Sequence, residues 1–335
     1  MSFTTFGEIM LRLTPNDYAA KINSAKNFGV HFAGSESNVA SSLAYLGNKT
    51  QFVTKLPKNQ LGDAAVNSLR FYGINTNNIL RGGNRVGTYF IEIGSSIRPS
   101  SVIYDRENSA IASIKNNEFD WEKILEGQKH LFISGITPAL SKHCADEVIS
   151  LAKVARKLNV KVSFDMNYRR TLWSDVSNAR KIFDAILENT DILFGNMGVL
   201  NDVYGMTGEG SNSIDKTVDI ITKAKNEFCL NELAFTVRDH YSANENGLSG
   251  IYIGANDPIV SDTYKVQILD RFGTGDAFAA GCLHGLNKKW DKEKVIGFAT
   301  AAFALKHTIK GDQHTSNEEE INSIRNGNIT GHVLR

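Results

Sequence analysis

The sequence predicts one large α/β domain over residues 1–335, with helices on both faces of a mainly parallel sheet and a small antiparallel β lid. Three observations lead to this prediction. Short apolar runs alternate with amphipathic stretches along most of the chain, which is typical of repeated strand–helix units. One region instead holds short strand-like segments with no helix between them. The composition is that of a globular protein, with 41% hydrophobic and 22% charged residues.

The elements of the main domain follow from these runs. Strands are expected at short apolar runs, namely 50–56, 129–133, 160–164, 192–194 and 233–237. Helices are expected where apolar residues recur at helical spacing, namely 61–72, 142–158, 178–187, 277–286 and 294–306. In such sheets ligands bind beyond the carboxyl ends of the strands. Polar residues that follow these strands are therefore candidates for a site.

The lid is predicted from segments near 9–14, 27–32 and 87–106, where strand-like runs follow one another directly. A small sheet of this kind leaves an exposed edge and a face without helices. It would serve as a lid over a site, or it would need a partner to cover that edge or face.

Charge and targeting features exclude several classes of function. The formal net charge is +1, so no global field attracts nucleic acid or an anionic membrane. No apolar run approaches the roughly 20 residues of a membrane span, and no signal peptide is visible. Cys144, Cys229 and Cys282 form no CxxC pair, so we expect reduced core thiols in a cytoplasmic protein.

The strongest chemical signal is the run Gly273-Thr274-Gly275-Asp276, which opens an apolar helix. Small residues let the backbone turn tightly and approach a ligand, and the first N–H groups of a helix bind anions. A carboxylate in that first turn can take a proton from a hydroxyl that attacks a phosphoryl group. The alternative is a strand–turn–helix junction in which Asp276 only caps the helix.

Two further segments carry weaker signals. Gly34 opens a turn, Ser35 can cap the helix that follows, and Asn38 could point back towards a hydroxylated ligand. The segment 163–170 places Asp165 and Arg169 after a buried strand, where sites of parallel sheets lie. The alternatives are a capped packing helix in the first case and a loop with surface arginines in the second.

The three segments resemble, in order and across nearly the whole chain, the motifs of ribokinase-like (PfkB) carbohydrate kinases. Gly273–Asp276 resembles the GxGD signature, 33–40 the N-terminal glycine motif and Asp165–Arg169 the DxNxR segment. The segments 98–106 and 134–139 are similar to the 2-keto-3-deoxygluconate kinases within that family. The resemblance implies a sugar-acid site at Gly34, Tyr89, Tyr104, Arg106, Arg169 and Asp312, beside Ser35 and Asn38. The lid also resembles sheets that pair between subunits, so we expect a homo-oligomer, a dimer or a higher even oligomer.

The resemblance implies ATP and Mg²⁺ as cofactors and a small sugar acid as the acceptor. Asp276 would take the proton from the terminal hydroxyl, and the N–H groups of Gly273, Thr274 and Gly275 would stabilise the developing charge. Arg106 and Arg169 would hold the carboxylate, which favours charge-assisted arginine partners. The expected reaction converts 2-keto-3-deoxygluconate to its 6-phosphate.

The nucleotide side departs from the family pattern. Many relatives carry NxxE after the strand near Asn196, whereas this chain has no acid at the fourth position. Asp202 could substitute, although its spacing differs. The nucleotide is therefore expected near Asn196, Thr236 and Arg238, with Gly273 and Gly275, and no metal ligand is assigned. The eight histidines show no metal-ligand spacing.

Two alternatives stay open on the sequence. The first is a kinase for a neutral sugar or nucleoside, such as fructose, ribose or adenosine, against which Arg106 and Arg169 argue. The second is a non-catalytic sugar- or nucleotide-binding protein on the same fold, which the missing acid favours and Asp276 argues against. A dinucleotide-binding function fails for lack of a GxGxxG after an early strand.

Overall fold

The computed structural model describes residues 2–331. The strands, in chain order, are β1 (Ser2–Phe6), β2 (Met10–Pro15), β3 (Phe28–Ala33), β4 (Lys49–Leu56), β5 (Ile79–Arg81), β6 (Thr88–Glu92), β7 (Ser101–Asp105), β8 (His130–Ser134), β9 (Lys161–Asp165), β10 (Ile192–Gly195), β11 (Glu232–His240), β12 (Glu245–Ile253), β13 (Ile259–Val260) and β14 (Tyr264–Gln267). The helices are α1 (Ser35–Tyr45), α2 (Gln60–Phe71), α3 (Trp121–Leu125), α4 (Lys142–Lys157), α5 (Val176–Leu187), α6 (Met197–Tyr204), α7 (Ser213–Glu227), α8 (Thr274–Asn287), α9 (Lys292–Lys306) and α10 (Glu318–Arg325).

The main sheet has ten strands in the order β13-β12-β11-β10-β9-β8-β1-β4-β5, with β14 also paired to β12. The pairs from β5 across to β11 are parallel. From β11 outward, β12 and its partners β13 and β14 run antiparallel. The predicted α/β class, with a mainly parallel sheet, is confirmed.

Alternate side chains of the central strands show which helices cover each face of this sheet. Phe132 and Phe194 pack with helices α1, α8 and α9 on one face. Their neighbours Leu131, Ile133 and Leu193 pack with α4, α5 and α7 on the other face. Successive side chains of a strand point to opposite faces, so both faces bury apolar surface and both carry helices.

The lid is a separate four-stranded sheet in the order β3-β2-β6-β7. Its outer pairs are antiparallel, as predicted, whereas the central pair β2–β6 is parallel. This difference arises because β2 and β6 are not sequence neighbours, so no hairpin fixes their direction. On one face of the lid lie Arg12 and Tyr89, both buried towards the main domain.

Two smaller findings concern the predictions on cysteines and membrane insertion. Cys144 and Cys282 are buried as expected, whereas Cys229 is exposed after the end of α7, so its prediction as a core thiol is wrong. Among residues 2–331 no helix has the length and apolar character of a bilayer span.

Candidate active site

An open cleft of about 520 Å³ lies beyond the carboxyl ends of the central strands, between the main sheet and the lid. Strands β9 and β10 end at its floor, and β11 runs along one wall. Apart from Asp202, the residues that the sequence analysis assigned to the site line this cleft: Gly34, Ser35, Asn38, Tyr89, Tyr104, Arg106, Arg169, Asn196, Thr236, Arg238, Gly273, Thr274, Gly275, Asp276 and Asp312. The fold thus brings together segments that are far apart in the sequence.

Asp276 lies in the first turn of α8 and is held by two side chains of α1. Ser35 Oγ donates to Asp276 Oδ1 at 2.7 Å, and Asn38 Nδ2 donates to Oδ2 at 2.7 Å. The expected capping role of Ser35 is wrong, because Gly34 is the N-cap and Ser35 is the first helical residue. Ser35 and Asn38 therefore orient the carboxylate of Asp276, and both also line the cleft.

The carboxyl group of Asp276 is 7% exposed and has an unusual affinity for protons. Burial raises its pKa to about 7, and the nearby carboxylates of Asp165 and Asp312 act in the same direction. The hydrogen bonds from Asn38 and Ser35 oppose this shift, since they favour the charged form. A carboxylate with a pKa near neutrality can take up a proton and release it again under working conditions.

The turn before α8 forms an anion-binding site beside Asp276. Gly273, the N-cap, has φ +72°, and a Cβ there would lie 1.8 Å from the carbonyl oxygen of Asp312, so only glycine fits. A Cβ on Gly275 would meet no described atom within 4 Å, which leaves open space above the turn. The N–H groups of this first turn have no carbonyl partner within the helix, which is the arrangement that binds anions.

Arginines lie beside the same turn. Arg238 Nη2 donates to Thr274 Oγ1 at 3.2 Å, while its buried Nε has no hydrogen-bond partner in the described part of the chain. Burial lowers the pKa of Arg238 to about 10, and the like charges of Arg271 and Arg169 add to this effect. A cluster of cations at a helix N-terminus is suited to an oligophosphate.

Asn196 and Thr236 lie on the same side of the cleft, at the floor and on the wall formed by β11. Asn196 is the N-cap of α6, and its side chain accepts from the N–H of Val199 at 3.2 Å. Asp202, the possible replacement for the missing acid, does not line the cleft. Its carboxylate accepts from Arg170 Nε at 3.1 Å on the outside of the molecule.

The lid supplies an aromatic and cationic wall. Tyr89 and Tyr104 stack with ring centroids 6.0 Å apart, and the guanidinium of Arg106 lies 5.4 Å from the centre of the Tyr104 ring. Arg106 is buried against Glu8, whose carboxylate accepts from its Nε at 2.8 Å and from its Nη2. The charge of Arg106 is therefore already offset within the protein.

Arg169 differs from Arg106, because it is exposed at the cleft and has no carboxylate within ion-pair distance among residues 2–331. Its charge lowers the pKa of Asp165, although burial outweighs it and raises that pKa to about 6. Of the two arginines expected to hold a sugar-acid carboxylate, Arg169 is thus the one whose charge remains available to a ligand.

The sequence analysis missed several residues of the cleft. Asn167, in the left-handed region with φ +30°, donates from Nδ2 to Ser35 Oγ at 3.1 Å and so continues the chain of contacts to Asp276. Arg271 also lines the cleft, as does Asp165, which the sequence analysis names. Asn167 lies inside the segment 163–170 that follows a buried strand, and Arg271 lies two residues before the glycine turn, so the available signal for both was their closeness to these motifs.

The described residues include no ready-made protein site for a divalent metal. Among residues 2–331, no group of three or more His, Cys, Asp and Glu side chains is arranged to hold a metal ion. Mg²⁺ commonly keeps water and uses substrate phosphates for most of its ligands. A metal that is held mainly by substrate phosphates needs no such group of side chains.

Residues 2–319 match the model of the pfkB family carbohydrate kinases. The chain belongs to this family. The sequence-based resemblance to PfkB kinases is thereby confirmed, and the turn 273–276 is the GxGD signature in its structural setting.

Three relatives of this PfkB kinase are informative. The structure of a 2-dehydro-3-deoxygluconokinase from Thermotoga maritima is 42% identical, with a TM-score of 0.95 over 98% of this chain and 100% of that one. A 2-dehydro-3-deoxygalactonokinase from Haloferax volcanii is 29% identical over 98% of this chain and 97% of its own length. A structure from Escherichia coli in complex with ATP and Mg²⁺ shares the fold, with 22% identity, a TM-score of 0.79, and coverage of 96% and 98%.

Proposed function

We propose that this PfkB kinase transfers the γ-phosphoryl group of ATP to the terminal hydroxyl of a keto-deoxy sugar acid, with 2-keto-3-deoxygluconate as the first candidate. The observation that carries the proposal is the position of Asp276. Its carboxylate is held by two side chains, has a pKa near 7 and lies beside the N–H groups of the turn 273–275. A proton acceptor and an anion site next to each other are the two parts that phosphoryl transfer needs.

The proposed step begins with Asp276, which takes the proton of the attacking hydroxyl. The new bond joins that oxygen to the γ-phosphorus, while the bond to the bridging oxygen breaks and ADP leaves with its electron pair. The N–H groups of Gly273–Gly275 and the guanidinium of Arg238 stabilise the negative charge on the transferring group. Bound Mg²⁺ would supply charge neutralisation at the phosphates.

The choice of a sugar acid rests on Arg169. It lies at the cleft without a carboxylate partner among residues 2–331, and the lid wall of Tyr89 and Tyr104 stands over the same space. An ionised acceptor can pair with this cation through a charge-assisted hydrogen bond, whereas a neutral sugar offers it no opposite charge. The relatives from T. maritima and H. volcanii are named for acids of this class, which supports the same choice.

The test is ADP formation from ATP and Mg²⁺ with a panel of acceptors. 2-keto-3-deoxygluconate and its galactonate epimer are compared with fructose, ribose and adenosine. The proposal requires fast turnover on a keto-deoxy acid and at least tenfold lower kcat/KM on the neutral acceptors. Fast turnover on a neutral sugar would favour the first alternative, and nucleotide binding with no turnover on any acceptor would favour the non-catalytic one.

The outer face of the lid supports a second part of the proposal, a dimer formed through two lids. Leu13, Val30, Phe90 and Ile103 form one row across all four strands, and Val30 and Ile103 are 59% and 55% exposed. An apolar row of this kind on a small sheet is suited to a second copy of itself. Sedimentation velocity on the double variant V30E/I103E should give the monomer mass. An unchanged oligomer would place the contact elsewhere.

The proposed location is the cytoplasm. ATP is the donor of the reaction, and Cys144, Cys229 and Cys282 all carry free thiols. Free thiols are typical of a reducing compartment.

A further inference from the structure

Arg12 is the largest fully buried side chain among residues 2–331, and it lies in lid strand β2 rather than in the main domain. Its guanidinium donates from Nη2 to Asp270 Oδ2 at 2.7 Å and from Nη1 to Asp312 Oδ1, while Nε donates to Thr14 Oγ1 at 2.9 Å. The ring of Phe272 lies 5.3 Å from its central carbon. One lid side chain thus contacts two separate loops of the main domain.

Both loops build the turn before α8. Asp270 immediately precedes that turn, and its carboxylate accepts from the N–H groups of Phe272 and Gly311, each at 3.0 Å. Asp312 has its carbonyl oxygen packed against the α-carbon of Gly273. A shift of either aspartate therefore moves the anion-binding turn and Asp276 with it.

Four buried charged side chains balance one another only as a group. The positive charges of Arg12 and Lys306 offset the negative charges of Asp270 and Asp312. The Nζ of Lys306 donates a hydrogen bond to the carbonyl oxygen of Ile309 at 2.9 Å. Burial would lower the pKa of Arg12, but the two carboxylates outweigh burial and raise it. Removing the Arg12 charge leaves two buried carboxylates facing one cation, which favours rearrangement of the loops.

Asp312 was expected to bind the sugar acid. Its Oδ1 already accepts from Arg12, and its Oδ2 accepts from the hydroxyl of Tyr89 at 2.9 Å. Both partners come from neighbouring strands of the lid, since Arg12 pairs with Tyr89 across β2 and β6. The structure therefore gives Asp312 a second role, as the point where the lid is fastened to the turn that holds the phosphoryl group.

We propose that Arg12 is a positioning residue for phosphoryl transfer: through Asp270 and Asp312 it places the turn 273–276 correctly only when lid strand β2 is docked. Lid docking and formation of the anion site are then one event. This inference rests on the proposed kinase reaction, and it concerns how the site is assembled rather than which acceptor is used.

The test compares Arg12→Lys, Arg12→Met and Asp312→Asn with the wild-type enzyme on the acceptor that the wild type uses best. Lys55→Met is the matched control, because it breaks a largely buried ion pair with Glu118 (2.6 Å) that lies outside the cleft. Melting temperature, kcat and the KM for ATP are measured for each. A wild type inactive on every acceptor would count against the proposed function, whereas the positioning role is judged on the variants of an active wild type.

The expected result is a fall in kcat of about 10- to 100-fold for Arg12→Lys and Asp312→Asn, with the KM for ATP changed less than about threefold. Arg12→Met should lose more than Arg12→Lys, since lysine keeps the charge. The control should lower the melting temperature while its kcat stays within about twofold of the wild type. Folded Arg12→Lys and Asp312→Asn enzymes with near wild-type kcat would overturn the inference, even if Arg12→Met does not fold.

Discussion

Asp276→Asn should remove catalysis and at the same time stabilise the fold. The introduced amide is nearly the same size, its oxygen can accept from Asn38 Nδ2, and its NH₂ can donate to Ser35 Oγ. The change thus keeps the hydrogen-bonded frame and removes a buried negative charge. Loss of a general base lowers turnover by about 100-fold or more.

The size of the stabilisation follows from the pKa of Asp276, which burial raises from 3.8 to about 7. The folded state therefore binds a proton that the unfolded state has already released between about pH 4 and pH 7. Stability is lost as the pH rises through this window, at ~1.4 kcal/mol for each pH unit. Compared with a neutral side chain, the carboxyl group of Asp276 lowers the free energy of unfolding by ~4 kcal/mol at about pH 8. At about pH 5 it lowers that free energy by only ~1.5 kcal/mol.

The assay is urea unfolding of the wild type and Asp276→Asn at about pH 5 and pH 8. The variant should be more stable at both values, with a gain that is ~2.5 kcal/mol larger at the higher pH. Asp202→Asn is the control, since it loses a carboxylate outside the cleft and should show no such gain. Equal gains at the two pH values, or none, would refute the assignment of a raised pKa to Asp276.

Three further predictions concern the cleft. The kcat/KM should fall about tenfold between about pH 8 and pH 6, because Asp276 must be ionised to accept a proton and has a pKa of about 7. If kcat/KM did not change with pH over this range, Asp276 would not be the base. Arg169→Ala should raise the KM for the keto-acid about tenfold or more and leave kcat/KM for neutral sugars unchanged, whereas Arg170→Ala, outside the cleft, should change neither. Gly273→Ala should abolish turnover, since its Cβ would meet a carbonyl oxygen at 1.8 Å. The control Gly127→Ala, at a position with φ +70° and open space around it, should keep activity with only a small loss of stability. An active Gly273→Ala enzyme would contradict the geometry of the turn.

The sequence predicted those elements that can be recognised from the apolar residues within the segment itself. The helices at 142–158 and 294–306 appear within a few residues, as α4 and α9, because apolar residues are buried along one face of α4 and around most of α9. Strand β1 was missed because its Phe and Thr residues give a short and mixed pattern, although it is central and almost wholly buried. Its strand character comes from pairing with β4 and β8, which a local pattern does not contain.

The site was predictable where backbone geometry restricts the residue type. The turn 273–276 needs a glycine with positive φ, and that requirement is visible in the sequence. The contacts of Arg12 with Asp270 and Asp312 join residues 258 and 300 positions apart, so only the folded structure reveals them. The same holds for Arg106, whose charge is offset by Glu8 across 98 positions.

The most direct test of the central claim is ³¹P NMR of the reaction products after incubation with ATP, Mg²⁺ and 2-keto-3-deoxygluconate. Transfer to the terminal hydroxyl predicts a phosphate ester signal split into a triplet by the adjacent methylene protons, formed in step with ADP by the wild type and not by Asp276→Asn. Inorganic phosphate alone, a doublet from a secondary hydroxyl, or an equal rate with Asp276→Asn would contradict the account.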